Sequence, residues 1–222
     1  MGTDNLHHKR KAKAAESLQR RQSRRSSYDK ILIVCEGSKT EPNYFKEIVN
    51  YYKLNTANVE IDGTCGSSPK SVLARAEELA DKESQKGDAF DQIYCVFDRD
   101  SHESYDITLR NIAAKVPKKI YIAAVSVPCF EYWLLLHFQY TTKPYHATGN
   151  SSIGNEVLKE LKKFIPNYTK GNRNIFSLLI DQVEFAKQNS IRALNHSEKN
   201  HTDNPSTKIH ELVDYLQTMK DG

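Results

Sequence analysis

The chain has 222 residues, of which 38% are hydrophobic, and a formal net charge of +4; that is long enough for one large domain with a substantial core. No apolar run approaches the roughly 18–20 residues that a bilayer-spanning helix needs. The start, MGTDNLHHKRKAKAAES, is basic without a hydrophobic region, so neither a secretory signal nor, with Leu6 in place of Ser or Thr, a myristoylation signal is expected.

The charge is unevenly spread. Residues 1–30 hold nine Lys/Arg against three Asp/Glu, whereas the rest of the chain holds 23 against 25. Residues 1–29 therefore predict a basic flexible arm whose Arg20, Arg21, Arg24 and Arg25 can neutralise nucleic-acid phosphates. A solvated tail that only aids solubility is the competing reading.

From Lys30 onward strand and helix patterns alternate. Ile31–Cys35 predicts a buried strand, and EPNYFKEIVNYYKL a helix with Phe45, Ile48, Val49 and Tyr52 at helical spacing. ANVEIDGT (57–64) alternates as a second strand, and the loop TCGSSPKS leads into a helix over SVLARAEELADKES. DQIYCVFD (91–98) is a third strand, apolar enough to be covered on both faces. HESYDITLRNIAAKV supplies a helix, KKIYIAAVS (118–126) a fourth strand, and CFEYWLLLHF after Pro128 an apolar helix. This order predicts an α/β fold with a mostly parallel sheet flanked by helices.

After about residue 140 only helical periodicity remains, in VLKELKKFI, NIFSLLIDQVEFAKQNSIRAL and STKIHELVDYLQTM, with NHSEKNHTDNPS (195–206) as a polar loop. The expected organisation is thus the arm over 1–29, an α/β domain over 30–140 and a helical layer over 141–222 packed on it. The four cysteines, Cys35, Cys65, Cys95 and Cys129, have no metal-ligand spacing. They read as small core hydrophobes of a reduced, cytoplasmic protein.

Two charged clusters, Glu36–Gly37 and Asp98–Arg99–Asp100, follow directly on the first and third strands. In open α/β sheets, sites form outside the carboxyl ends of strands where the strand order reverses. If the two strands are neighbours, Glu36, Asp98 and Asp100 meet in one crevice. Carboxylates gathered in this way repel one another unless protonated or bound to a cation, and hard oxygen ligands suit Mg²⁺ or Mn²⁺. Gly37 would let the chain turn sharply beside a phosphate.

A strand followed by Glu36–Gly37, and a later strand followed by Asp98–Arg99–Asp100, resemble the TOPRIM domain of topoisomerases, primases and OLD-type nucleases. More narrowly, EGSKTEPNYF, VFDRDSH, SVPCFEYWLLLHF and NPSTKIHELVDYL resemble the RloB family, TOPRIM-like proteins of bacterial restriction and abortive-infection loci, often encoded beside an ATPase. The resemblance covers about residues 30–220 and leaves the arm outside it. It implies a Rossmann-like fold and Mg²⁺- or Mn²⁺-dependent cleavage of nucleic acid in antiphage defence, with an ATPase as a candidate partner.

Carried over by residue, the resemblance gives Glu36 as the acid at the scissile phosphate, a metal ligand or general acid/base, and Asp98 and Asp100 as metal ligands. Glu41 resembles a second glutamate of the OLD-type motif, one residue further along than usual; its plainer role is to favour a helix N-terminus. Glu131, an acid in a first helical turn after a strand end, is a further candidate ligand, while Phe130, Trp133, Leu134 and His137 around it read as core. Lys39 is a candidate phosphate contact, and His102 a solvated loop histidine. The competing functions are a non-catalytic nucleic-acid-binding or ATPase-partner subunit and, further off, a phosphatase using the DxD.

Overall fold

The protein is described from a computed structural model over residues 29–99, 103–115 and 120–219. Its first strand, β1 (Ile31–Cys35), is buried along its whole length. Side chains alternate across a strand, so Ile31, Ile33 and Cys35 enter one core and Leu32 and Val34 the other. β3 (Gln92–Asp98) divides in the same way, with Tyr94 and Val96 on the first face and Ile93, Cys95 and Phe97 on the second. Apolar runs without polar alternation are what a strand covered on both faces requires.

With β2 (Val59–Asp62), β4 (Tyr121–Val127) and β5 (Ser206–Thr207) they form one sheet in the order β2-β1-β3-β4-β5. β1 to β4 run parallel and β5 pairs antiparallel to β4. Helices α1 (Thr40–Tyr51), α2 (Pro69–Gln85), α3 (Tyr105–Ala113) and α4 (Glu131–Leu135) each follow one of these four strands. Ser68 starts α2 with a reciprocal cap, its hydroxyl accepting the Ser71 N–H at 3.2 Å, and Pro69 takes the first helical position.

Beyond them lie α5 (Ile153–Leu161), α6 (Ile175–Leu179), a 3₁₀ turn (Ile180–Gln182), α7 (Val183–Lys199) and α8 (Ile209–Thr218). α2 and α3 cover the second face through Val72, Leu73, Ala76, Tyr105 and Ile112. The first face belongs to α1 and α4 with the later helices. Tyr44 of α1 joins three of these: its hydroxyl accepts Trp133 Nε1–H at 2.9 Å, and its ring meets Phe130 and Phe176 edge-on at 5.4 Å.

The expected α/β fold with its mostly parallel sheet is therefore the one found, with two local corrections. The apolar run CFEYWLLLHF is α-helical only over Glu131–Leu135. The stretch 195–206 is not all loop: α7 continues to Lys199, and Ser206 opens β5. Polarity misleads there because the buried hydroxyls are satisfied internally, Ser197 donating to the Pro205 carbonyl at 2.9 Å and Ser126 bonding Thr207 across the strands at 2.9 Å. Among the described residues no helix is long and apolar enough to cross a membrane.

Candidate functional site

The strand order reverses between β1 and β3, since β1 connects onward to β2 on one side while β3 leads to β4 on the other. A crevice opens at their carboxyl ends. Glu36 sits across this seam. Its N–H donates to the Val96 carbonyl at 2.8 Å, and its Oε2 accepts the Asp98 N–H at 3.1 Å.

Gly37 then turns the chain at φ +83°, a conformation that L side chains rarely adopt. The turn is pressed against the exit of β2. A Cβ on Gly63 would stand 2.6 Å from Pro42 Cγ and 2.7 Å from the Gly37 carbonyl oxygen. Gly63→Ala is expected to push the Glu36–Pro42 turn outward at a cost of about 1–3 kcal/mol. Thermal unfolding checks this, with Tm falling by roughly 2–4 °C per kcal/mol.

Four carboxylates, Glu36, Glu41, Asp98 and Glu131, lie within electrostatic reach around the crevice. Asp98, partly open to solvent but deep among protein atoms, is pushed well above the usual carboxylate range by burial, then by the charges of Glu41, Glu131 and Glu36, against a hydrogen bond from the Phe130 backbone. Glu41, in the first turn of α1 and 9% exposed, rises to about 7 from burial and from Glu131 and Glu36, with its own backbone N–H and Lys170 working the other way. Glu131 is 1% exposed; its Oε1 accepts the Tyr168 hydroxyl at 3.3 Å, and its Oε2 has no hydrogen-bond partner among the described residues. Lys170 Nζ stands 3.8 Å from that oxygen.

A loop from the helical layer thus closes one side of the site. Tyr168 is fully buried and Lys170 mostly exposed. The loop is tied to the start of α1 by the Gly171 N–H, which donates to Thr40 Oγ1 at 2.9 Å, and by Asn43 Nδ2, which donates to the Gly171 carbonyl at 3.2 Å. Lys39, also exposed, lies so close over Gly171 that a Cβ there would meet its side chain at 2.9 Å. Burial disfavours the charged Lys170, but Glu131, Asp98 and Glu41 outweigh it and raise its pKa.

Of the residues expected at the site, Glu36, Asp98, Glu41 and Glu131 come within electrostatic reach of one another, with Lys39 on the rim. Asp100, His102, Arg20, Arg21, Arg24 and Arg25 lie outside the described residues. Arg99 turns away, pairing with Asp203 and lying 5.4 Å from the Tyr105 ring centre. His137 is core: its Nδ1 meets the Trp133 carbonyl at 3.0 Å, and burial lowers its pKa to about 4. All four cysteines are free, and burial pushes the thiols up, which leaves no ready thiolate ligand. Tyr168 and Lys170 were missed in the sequence; the only signal was a glycine between Lys170 and Arg173 in TKGNR.

Among the described residues no three Asp, Glu, His or Cys side chains stand as a set that could hold a metal ion. The donor chemistry nevertheless suits a hard divalent cation. A buried carboxylate oxygen without a hydrogen bond is costly, and carboxylates that raise one another's pKa are relieved by a bound cation. Mg²⁺ in particular keeps several waters and uses one or two carboxylates together with substrate phosphate.

No curated protein and no solved structure matches the chain. A family model described as RloB-like protein matches residues 31–216, spanning all five strands and reaching into α8. The chain belongs to the RloB-like family.

Proposed function

We propose that the chain is a Mg²⁺- or Mn²⁺-dependent nuclease of the TOPRIM type, hydrolysing nucleic-acid phosphodiesters in bacterial antiphage defence. The observation that carries this reading is the buried Glu131, whose Oε2 has no hydrogen-bond partner among the described residues, within electrostatic reach of Asp98 and Glu41 beside the point where the strand order reverses. Asp98 and Glu36 would hold the cation, with Asp100, Glu131 and Glu41 as further ligands directly or through water. When bound there, it supplies charge neutralisation at the phosphate and a lowered pKa for its water.

The protein's own groups do the rest. Glu36, held by the Asp98 N–H, binds the cation or moves a proton at the attacking water. Lys39 and Lys170, exposed on the rim, draw the phosphate in as mobile point charges. Arg20, Arg21, Arg24 and Arg25 of the arm extend the phosphate contacts along the strand. An ATPase partner, as the family resemblance implies, would act on this same site by controlling access to it.

The reading is tested with the purified full chain and end-labelled DNA and RNA in Mg²⁺, Mn²⁺ or EDTA, with and without an ATPase partner. Cleavage that needs the ion and stops in EDTA is expected. Binding without cleavage under every condition would make the chain a non-catalytic subunit.

A further inference from the structure

A groove of about 820 Å³ lies away from the carboxylate crevice, along the outer edge of β4 between α3 and α8. β5 covers only the last part of that edge, pairing with Ser126 and Val127. The Ile93 and Arg99 N–H groups reach the Ile120 and Ser126 carbonyls, so the even-numbered residues of β4 turn their backbone groups toward β3. The odd-numbered ones face outward. Lys208 N–H takes the Val125 carbonyl, but among the described residues no backbone group pairs with the outward groups of Tyr121 and Ala123. An unpaired strand edge at the floor of a groove is a template for an added extended segment.

The walls indicate what kind of segment. Tyr94, Tyr121 and Tyr215 line the groove together with Glu211 and Asp214, Lys208 being its one lining cation among the described residues. Burial first, and then the charges of Glu211 and Asp29, raise the Tyr94 phenol. Tyrosine faces beside carboxylates suit guanidinium groups, which stack on rings and pair with acids.

The chain carries such a segment at the mouth of this groove. Asp29, where the described fold begins, accepts a hydrogen bond from the groove-lining Tyr215. Residues 1–28 hold eight Lys/Arg against two Asp/Glu, and Arg25 is four positions before Asp29, at most ~14 Å along an extended chain. So short a tether gives an effective concentration on the order of millimolar.

We propose that the arginine-rich part of residues 1–28 docks in this groove against the free edge of β4. Arginines held there are withdrawn from nucleic-acid phosphate until a polyanion competes for them. The docking does not depend on whether the chain cleaves anything.

Hydrogen exchange on the full chain tests the proposal at the Tyr121 and Ala123 amides. In a variant with Arg20, Arg21, Arg24 and Arg25 all replaced by Gln, both should exchange at least tenfold faster than in the unaltered chain. The Ile33 and Cys95 amides inside the sheet should be unchanged and so report an intact fold. Glu211→Gln, which alters the groove and not the arm, should accelerate the same two amides. Equal rates in all three proteins would overturn the proposal. So would protection that grows with protein concentration, which would assign the groove to a second copy of the chain.

Discussion

Replacing Glu36 by Gln is expected to cut phosphodiester cleavage about 10²-fold or more, the scale for losing a proton-transfer group, while the protein stays folded. Gln keeps the shape and still offers an oxygen to the Asp98 N–H, but removes the charge and the basicity. Asp98→Asn should cost a similar factor, because Asp98 stands in the field of the same carboxylates. The double variant should lose far less than the product of the two, since both residues serve one step.

Arg99→Ala is the control from the same turn. Arg99 pairs with Asp203 on an exposed surface and leans on Tyr105, contacts whose loss costs about 0–1 kcal/mol and should spare most activity. Cleavage by Glu36→Gln at the unaltered rate, measured with any activating partner present, would sink the nuclease reading.

Glu41→Gln should stabilise the metal-free protein, and by an amount that depends on pH. The folded-state pKa of Glu41 is raised from 4.5 to about 7, by burial first and then by Glu131 and Glu36. Between those values the folded state binds the extra proton, so the Glu41 contribution is fully present below about pH 4.5 and is lost as pH rises through about 7. The gain of Glu41→Gln over the unaltered chain should therefore be near zero at acid pH and grow to about 3 kcal/mol above pH 7, at about 1.4 kcal/mol per unit.

Comparing the two proteins also removes the opposite trend of His137. Its pKa is lowered to about 4 by burial, so its contribution is present at neutral pH and lost as pH falls from about 6.5 to about 4. Denaturant unfolding in EDTA at several pH values reads the difference directly, and a gap that does not change with pH would mean that Glu41 is ordinarily solvated. Saturating Mn²⁺ should shrink the gap, because the ion favours the charged carboxylate.

The two ends of the crevice were readable because Glu36 and Asp98 close runs of strand residues so apolar that a charge there stands out. Their meeting depended on strand order, which sequence periodicity does not contain. Glu41 was ambiguous for a physical reason: an acid in a first helical turn is satisfied by the helix dipole on the surface just as well as in a site. Only its burial beside Glu131 separates the two.

Tyr168 and Lys170 could not be found by local pattern at all. Their loop reads as polar surface, and the bond that brings it in, from Gly171 to Thr40, joins residues 131 positions apart. β5 was invisible because two residues make no period, and its buried hydroxyls look like loop chemistry until Ser126 and Thr207 are seen to bond each other.

The claim beneath all of these expectations is that the carboxylates around Asp98 form a divalent-cation site. Thermal unfolding of the full chain titrated with Mn²⁺, run side by side with Asp98→Ala, measures it without any substrate. An ion that binds only the folded state raises Tm by mass action. The expected result is a rise in Tm that continues with Mn²⁺ concentration in the unaltered chain and a much smaller rise in Asp98→Ala. Equal shifts in the two proteins would place the ion elsewhere and contradict a cation site at Asp98.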